Sequence, residues 1–380
     1  MQDILAIDID SPTSLTIHLS QPVAGAFYPL LAGQESFIVA PSQLRGAEAA
    51  INEAPIGAGA FRLKQYVPNQ EIQLVRNPRY WDAKDIHLKE LDLVNAQAGA
   101  QSVNALESGL ADVAQIPLAD LRAVQSTSAY HITVISSQTQ KLWMPTCKLT
   151  GPLSNAQVRQ ALNFAIDRRA INDAVLDGKG EPEWALWPKS SIYFPESLND
   201  YYAFNLRKAR RLLVTAGYRS GFHVGLIIGP GDPTVEKTAE IIQAEWRQIG
   251  VEANIISDPN ATTDAYIRHT APLYLISSSR GGLASINGPY RPGDIGDMCN
   301  YDSPHLDAML NQLDMLTPGT PKDVSIWKAA QEFVTKKALA IQVDFVPVVF
   351  ASTKNVRGLS FVLNPAAVPY YWGLSASSKT

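Results

Sequence analysis

An α/β protein of two lobes is what this sequence predicts. Three observations lead there: 380 residues exceed what one hydrophobic core serves, residues 222–256 hold a strand–helix–strand pattern, and strand-like and helix-like periodicities alternate through much of the remaining chain. In 222–256, Phe222, Val224, Leu226 and Ile228 alternate, Val235, Ala239, Ile242, Trp246 and Ile249 recur at helical spacing, and Val251-Glu252-Ala253-Asn254-Ile255-Ile256 closes the unit. Parallel strands with a right-handed crossover follow from that order.

From the start of the chain, Leu15, Ile17 and Leu19 alternate with polar residues and predict a half-buried strand over 14–19. Pro22, Pro29 and Pro41 break the pattern into loop and short helix. Phe61-Arg62-Leu63 and Ile72-Gln73-Leu74-Val75 flank Pro68-Asn69 and predict a hairpin. Val103, Leu106 and Leu110 follow at helical spacing, and Ala111-Asp112-Val113-Ala114 returns to a strand. Ser154 with Gln157 three residues on forms a capping-box pattern and predicts a helix over 156–166, its apolar stripe being Val158, Ala161, Leu162, Ala165 and Ile166. Asp167 caps the next helix. A third runs from Leu206 to Ala216 behind an Asn205 cap and stops at Gly217, which accepts the left-handed conformation.

Composition excludes several classes. A formal net charge of −4 and the absence of a basic stretch leave no footprint for nucleic acid. No run approaches the ~18 consecutive apolar residues that span a bilayer. The opening Met1-Gln2-Asp3-Ile4-Leu5-Ala6 lacks the basic and apolar regions of a signal peptide, so either the chain is cytoplasmic or its export signal lies outside this sequence. Cys147 and Cys299 belong to no CxxC pair; they leave the compartment undecided and one disulfide open.

The motifs of catalysis are missing. The six histidines share no metal-binding spacing, and neither GxSxG nor GxxxxGK[ST] occurs. Gly57-Ala58-Gly59-Ala60-Phe61 precedes a strand and reads as a turn, not as a dinucleotide loop. Asp294 and Asp297 have no identifiable partner base. What stands out is aromatics in loop-like contexts, Trp184, Trp187, Tyr290 and Tyr370-Tyr371-Trp372; each alone suits packing, and together they suit a ligand cleft.

Several segments, in order, resemble the family 5 solute-binding proteins of ABC uptake systems, which include oligopeptide-, dipeptide- and nickel-binding members. Pro55-Ile56-Gly57-Ala58-Gly59-Ala60-Phe61-Arg62-Leu63 followed by Leu74-Val75-Arg76-Asn77-Pro78-Arg79-Tyr80-Trp81 is similar to the signature stretch ending RNPxYW. Ala105-Leu106-Glu107-Ser108-Gly109-Leu110-Ala111-Asp112-Val113-Ala114 resembles the family's LxSGEvDia element. Val158 to Arg168, reading VRQALNFAIDR, follows the family helix almost residue by residue. Phe204-Asn205-Leu206 through Gly217-Tyr218, Trp246 to Val251, Pro347 to Phe350 and Val356 to Leu359 also fit.

The resemblance implies a fold like type II periplasmic binding proteins: α/β, two lobes with mixed sheets and a hinge, N-terminally truncated here relative to the family. It divides the chain into 1–140, the β-rich remainder of a first lobe, 141–345, a second α/β lobe, and 346–380, a return segment. It further implies a non-enzymatic, monomeric, periplasmic or cell-surface protein without cofactor or metal. Such a protein captures a small molecule or short peptide by lobe closure and meets ABC permease subunits at the membrane. The alternative reading is the ligand-sensing domain of a cytoplasmic transcriptional regulator. Candidate ligand contacts are Arg280, Ser278, Ser279, Trp143, Cys147, Trp187, Tyr290, Tyr370 and Trp372; Cys147 falls where the family has an asparagine. Where peptide-binding members carry a Trp- and Asp-containing loop, this chain has Ser277-Ser278-Ser279-Arg280-Gly281-Gly282-Leu283. With one guanidinium and no acid, that loop suits a carboxylate or hydroxylated solute better than a peptide ammonium. Arg159 is expected to form a lobe-stabilising ion pair.

Overall fold

The computed structural model describes residues 4–32, 37–45, 51, 53–95, 100–135, 141–145, 150–264, 273–278, 290–291, 301–361, 369–370 and 373–376. The chain forms two compact units, one of Met1–Ala32 with Gln138–Val346 and the other of Gly33–Ser137 with Pro347–Thr380. Thus the first 32 residues, which the sequence reading grouped with 33–140, share a unit with 138–346.

The chain begins in the first unit with β1 (Ile4–Ser11) and β2 (Ser14–Leu19), an antiparallel pair in which Ile7 is opposite Ile17 and Ile9 opposite Leu15. The strand at 14–19 is present, but Ile9 is 83% and Leu15 57% exposed. A two-stranded sheet with no second layer among the described residues leaves its apolar side open. Helix α1 (Ala24–Ala32) follows. Its Gly25 lies so close to the Leu313 carbonyl that an added Cβ would sit 1.9 Å from the oxygen, a backbone approach only glycine permits.

The second unit opens with the sheet β3 (Phe61–Val67), β4 (Glu71–Arg76) and β5 (Glu90–Val94), antiparallel in that order. The β3–β4 hairpin turns at Asn69, φ 60°, a left-handed position that asparagine tolerates. Asn77 locks the neighbouring turn: its Nδ2 donates to the Gly59 carbonyl at 2.9 Å and its Oδ1 accepts from the Arg79 amide at 3.1 Å. Helix α2 (Ala100–Glu107), β6 (Val113–Ile116), α3 (Leu121–Ser126) and β7 (Tyr130–Ile135) complete this passage. Leu106, Ile116, Leu121 and Val124 form its core with Val349 and Ala351.

Returning to the first unit, the chain makes β8 (Lys141–Pro145), α4 (Ala156–Phe164), α5 (Arg168–Leu176), β9 (Glu181–Pro182), α6 (Leu206–Thr215) and β10 (Phe222–Ile228). It continues as α7 (Pro233–Arg247), β11 (Val251–Ser257), β12 (Tyr274–Ser278), α8 (Pro304–Met315), α9 (Pro321–Lys336) and β13 (Ala340–Phe345). The six-stranded sheet has the order β11-β10-β12-β8-β13-β9. As expected for a strand–helix–strand unit, β10 and β11 are parallel, and β12 joins β10 in parallel on its other side. β8 is antiparallel to both β12 and β13, so the sheet is mixed. Strand β14 (Val348–Thr353) then enters the second unit between β6 and β7. The short strands β15 (Val356–Arg357), β16 (Ser360–Phe361), β17 (Pro369–Tyr370) and β18 (Ser375–Ala376) pair as β15 with β18 and β16 with β17.

Helix starts follow local chemistry, with one correction. Asn155, not Ser154, caps α4: its Oδ1 accepts from the Gln157 amide at 2.8 Å, while the Ser154 hydroxyl donates to the Gly151 carbonyl in a preceding 3-10 turn. The expected caps Asp167 and Asn205 accept from Ala170 and Lys208 amides at 3.1 and 2.9 Å. Gly217, φ 90°, ends α6.

Candidate functional site

Sheet polarity positions the loop that the sequence singles out. Parallel β10, β11 and β12 place their carboxyl ends at Ile228, Ser257 and Ser278. Because Ser278 is opposite Lys141, and Lys141 opposite Phe345, the first residue of β8 and the last of β13 lie at the same sheet end. Open α/β sheets take ligands outside the carboxyl ends of their strands. The loop carrying Arg280 leaves from this end, as do the connections from β8 back to β7 and from β13 on to β14.

Of the candidate contacts, Arg280, Ser279, Cys147 and Trp372 lie outside the described residues. Ser278 and Tyr370 are placed by their backbones alone, as the last residues of β12 and β17. Trp143 and Tyr290 are interior residues, 2% and 0% exposed, packed among Leu306, Leu310, Trp327 and Leu339. The Tyr290 hydroxyl donates to the Leu339 carbonyl at 3.5 Å. Trp187 is half-buried in an aromatic group with Tyr193 and Trp327, ring centroids 5.4 and 5.9 Å away. This group clamps residues 187–193 onto α9: Gln331 accepts from the Trp187 amide and donates to the Tyr193 carbonyl, while the Tyr193 hydroxyl donates to Asp323 at 2.9 Å. Burial, and then the Asp323 carboxylate, push that phenol up to about 12. Trp143, Tyr290 and Trp187 thus share one hydrophobic cluster of the first unit, the first two in its interior and Trp187 packed against it.

Two buried arginines hold the first unit's framework. Among the described residues Arg159 makes no ion pair, unlike the expectation; its guanidinium donates to the carbonyls of Ala338, Leu153, Ser154 and Lys337 at 2.8–3.2 Å. Arg168 donates to the carbonyls of Glu183, Gln342 and Asn163 and to Asn163 Oδ1 at 2.7–3.1 Å, tying α5 to β13 and to the segment after β9. Burial lowers its pKa to about 10. Around it, burial raises three carboxyls: Glu183 well above its usual range, Glu245 up to about 7 and Asp344 up to about 8. Glu183 Oε1 accepts from the Trp184 and Ala185 amides, and Glu245 from the Asp167 amide.

Sequence reasoning missed Gln342 and Asp344. Gln342 is opposite Trp143 and 4% exposed, with neither amide atom hydrogen-bonded among the described residues. The available signal was two polar residues within the wholly buried strand Ala340–Phe345. An open cavity of about 320 Å³ in the second unit is lined by Asn95, Gln101, Asn104 and Ser108 with Val94, Ala105 and Leu110, none of them a named candidate. Among the described residues, no group of three or more His, Cys, Asp or Glu could hold a metal, and no helix is long and apolar enough to cross a membrane.

Residues 1–289 match the family model of bacterial extracellular solute-binding proteins, family 5 Middle. The chain belongs to this family. The family 5 relatives include Heme-binding protein A of Haemophilus influenzae, 27% identical over 358 residues, which cover 88% of this chain and 62% of that protein. Di/tripeptide-binding protein 3 of Pseudomonas aeruginosa is 33% identical over 214 residues, 54% of this chain and 39% of that one. The chain thus spans less than two thirds of the length of these curated relatives. Among solved structures, NikA of Staphylococcus aureus in complex with Ni(L-His)2 superposes with TM-score 0.84 at 20% identity, covering 99% of this chain and 79% of NikA. That likeness shows the fold, the α/β architecture of type II periplasmic binding proteins.

Proposed function

We infer that this chain is the solute-binding part of an extracytoplasmic component of an ABC importer. Its solute is small and polar, carries a carboxylate or several hydroxyls, and is peptide-like, an opine or amino-acid conjugate, or an oligosaccharide. The family match over residues 1–289 carries the reading. Support comes from the relatives' names, which describe binding proteins and not enzymes, and from the loop Ser277–Leu283, which leaves β12 at the carboxyl end of the parallel strands. That loop offers one guanidinium, three hydroxyls and no acid. A guanidinium fork matches carboxylate geometry, whereas an ammonium needs an anion that this loop lacks. Delivery is to ABC permease subunits by a monomer, without cofactor or metal.

The test is mass spectrometry of the solute that co-purifies, followed by affinity measurements on wild type and Arg280→Ala. Losing a buried charge-assisted contact costs on the order of 2–5 kcal/mol. The solute should also raise the unfolding midpoint, with about 2.7 kcal/mol added at a hundredfold excess over Kd. Unchanged affinity in Arg280→Ala, or tight binding of simple di- and tripeptides by the wild type, would overturn this assignment of the loop.

A further inference from the structure

Helix α6 carries Arg207, Lys208, Arg210 and Arg211 and no acid, in a chain whose acids outnumber its Lys and Arg by 36 to 32. Its buried stripe is Ala209 and Leu213, packed toward α4, and all four cations are exposed. This arrangement works against the helix itself. Arg207 and Lys208 sit in the first turn, where the positive end of the helix dipole disfavours cations. Arg207–Arg210, Arg207–Arg211 and Lys208–Arg211 are like-charge neighbours at i,i+3 or i,i+4 spacing, which destabilise a helix. Intramolecular stability therefore does not account for the charges.

Two of the four are engaged within the fold. Lys208 Nζ lies 3.8 Å from the Phe164 ring centre, and Arg210 donates through Nε and Nη2 to the Gln248 carbonyl at 3.0 and 2.6 Å. The guanidiniums of Arg207 and Arg211 have no hydrogen bond or ion pair among the described residues, and they share one helix face with Val214, which is 42% exposed. Arg210 also brings α6 beside the end of α7, where Arg247 is paired with Glu252 at 3.6 Å. On the other side, Asp200 is taken by Arg169 at 3.1 Å.

We propose that the outer face of α6 docks on a bilayer surface rich in anionic phospholipid, with Arg207 and Arg211 binding headgroup phosphates and Val214 facing the interface. Charge complementarity selects the partner. Two guanidinium forks one turn apart suit phosphate oxygens, which arginine binds bidentately. A protein partner would have to bring an acidic patch of matching shape and register. A helix face of one sign, without an acid, instead fits a surface that is itself uniform in sign and needs no register. This goes beyond solute capture and does not depend on which solute is bound.

The experiment is co-sedimentation of the whole protein at low salt with phosphatidylcholine vesicles, with and without about a third phosphatidylglycerol. The wild type should partition onto the anionic vesicles only and be released as salt rises. In Arg207→Ser/Arg211→Ser, partitioning should fall about fivefold for each cation removed, at an unfolding midpoint close to the wild type's, because relief of like-charge repulsion and the lower helix propensity of serine act in opposite directions. Arg207→Lys/Arg211→Lys should retain most of it. Equal partitioning of the double serine variant, or equal binding to uncharged vesicles, overturns the proposal. So does tighter binding to polyglutamate than to the anionic vesicles at matched salt, which would make an acidic protein the partner.

Discussion

Replacing Asp344 with asparagine isolates the buried carboxyl that the fold holds furthest from its ordinary chemistry among those with a defined value. Asp344 is fully buried on β13, and burial raises its pKa from 3.8 to about 8. Folded, it is protonated at neutral pH; unfolded, it is ionised. A carboxyl raised in the folded state gives stability that is fully present below its unfolded pKa and lost as pH rises toward the folded value. Between those limits the loss is about 1.4 kcal/mol per pH unit for each such group. From pH 5 to 7 Asp344 alone should cost the wild type on the order of 2–3 kcal/mol, and Glu245 and Glu183 act in the same direction. Asparagine conserves shape without the titrating proton, beside the Asn172 side chain. Urea unfolding of wild type and Asp344→Asn at pH 5, 6, 7 and 8 measures the difference. The variant should gain relative stability with each step up to pH 8 and level off above it. Parallel stability–pH curves for the two proteins would refute the assignment of a protonated Asp344.

Arg168→Met would strip the donor from four oxygens at 2.7–3.1 Å and should lower unfolding free energy by about 4 kcal/mol or more, read by denaturant titration. Gly221→Ala should fail to give soluble protein at 37 °C, about body temperature: φ is +75° there and a Cβ would meet the Gly250 carbonyl oxygen at 1.7 Å, backbone against backbone. Asn205→Ala removes the cap of α6 and should cost about 1 kcal/mol in thermal unfolding, while Asn205→Ser should cost much less.

Much of the framework was legible in the residues. The alternation at 222–228, the helical spacing through 233–247 and the second strand at 251–257 required only the periods of strand and helix, and a right-handed connection between parallel strands left one arrangement. Caps at Asp167 and Asn205 were equally local, since a side-chain oxygen and an amide two or three residues on meet by backbone geometry alone. Ser154 and Asn155 show the limit: both can cap, and the preceding 3-10 turn decided which did. Family membership followed from motifs whose order along the chain is itself sequence information.

Tertiary structure alone decided what was surrounded. Trp143, Trp187 and Tyr290 carry no mark distinguishing a cleft from a core, because an aromatic ring satisfies both; burial of Trp143 depends on helices α8 and α9, more than 160 residues further along the chain. Arg159 read as half of an ion pair because its charge is visible in sequence. Its partners, backbone carbonyls at Ala338 and Lys337, are not, since every residue carries a carbonyl and only the fold says which ones lack a donor. The pKa of Asp344 has the same origin: sequence specifies the carboxyl, and the desolvation that keeps its proton comes from strands and helices assembled around it.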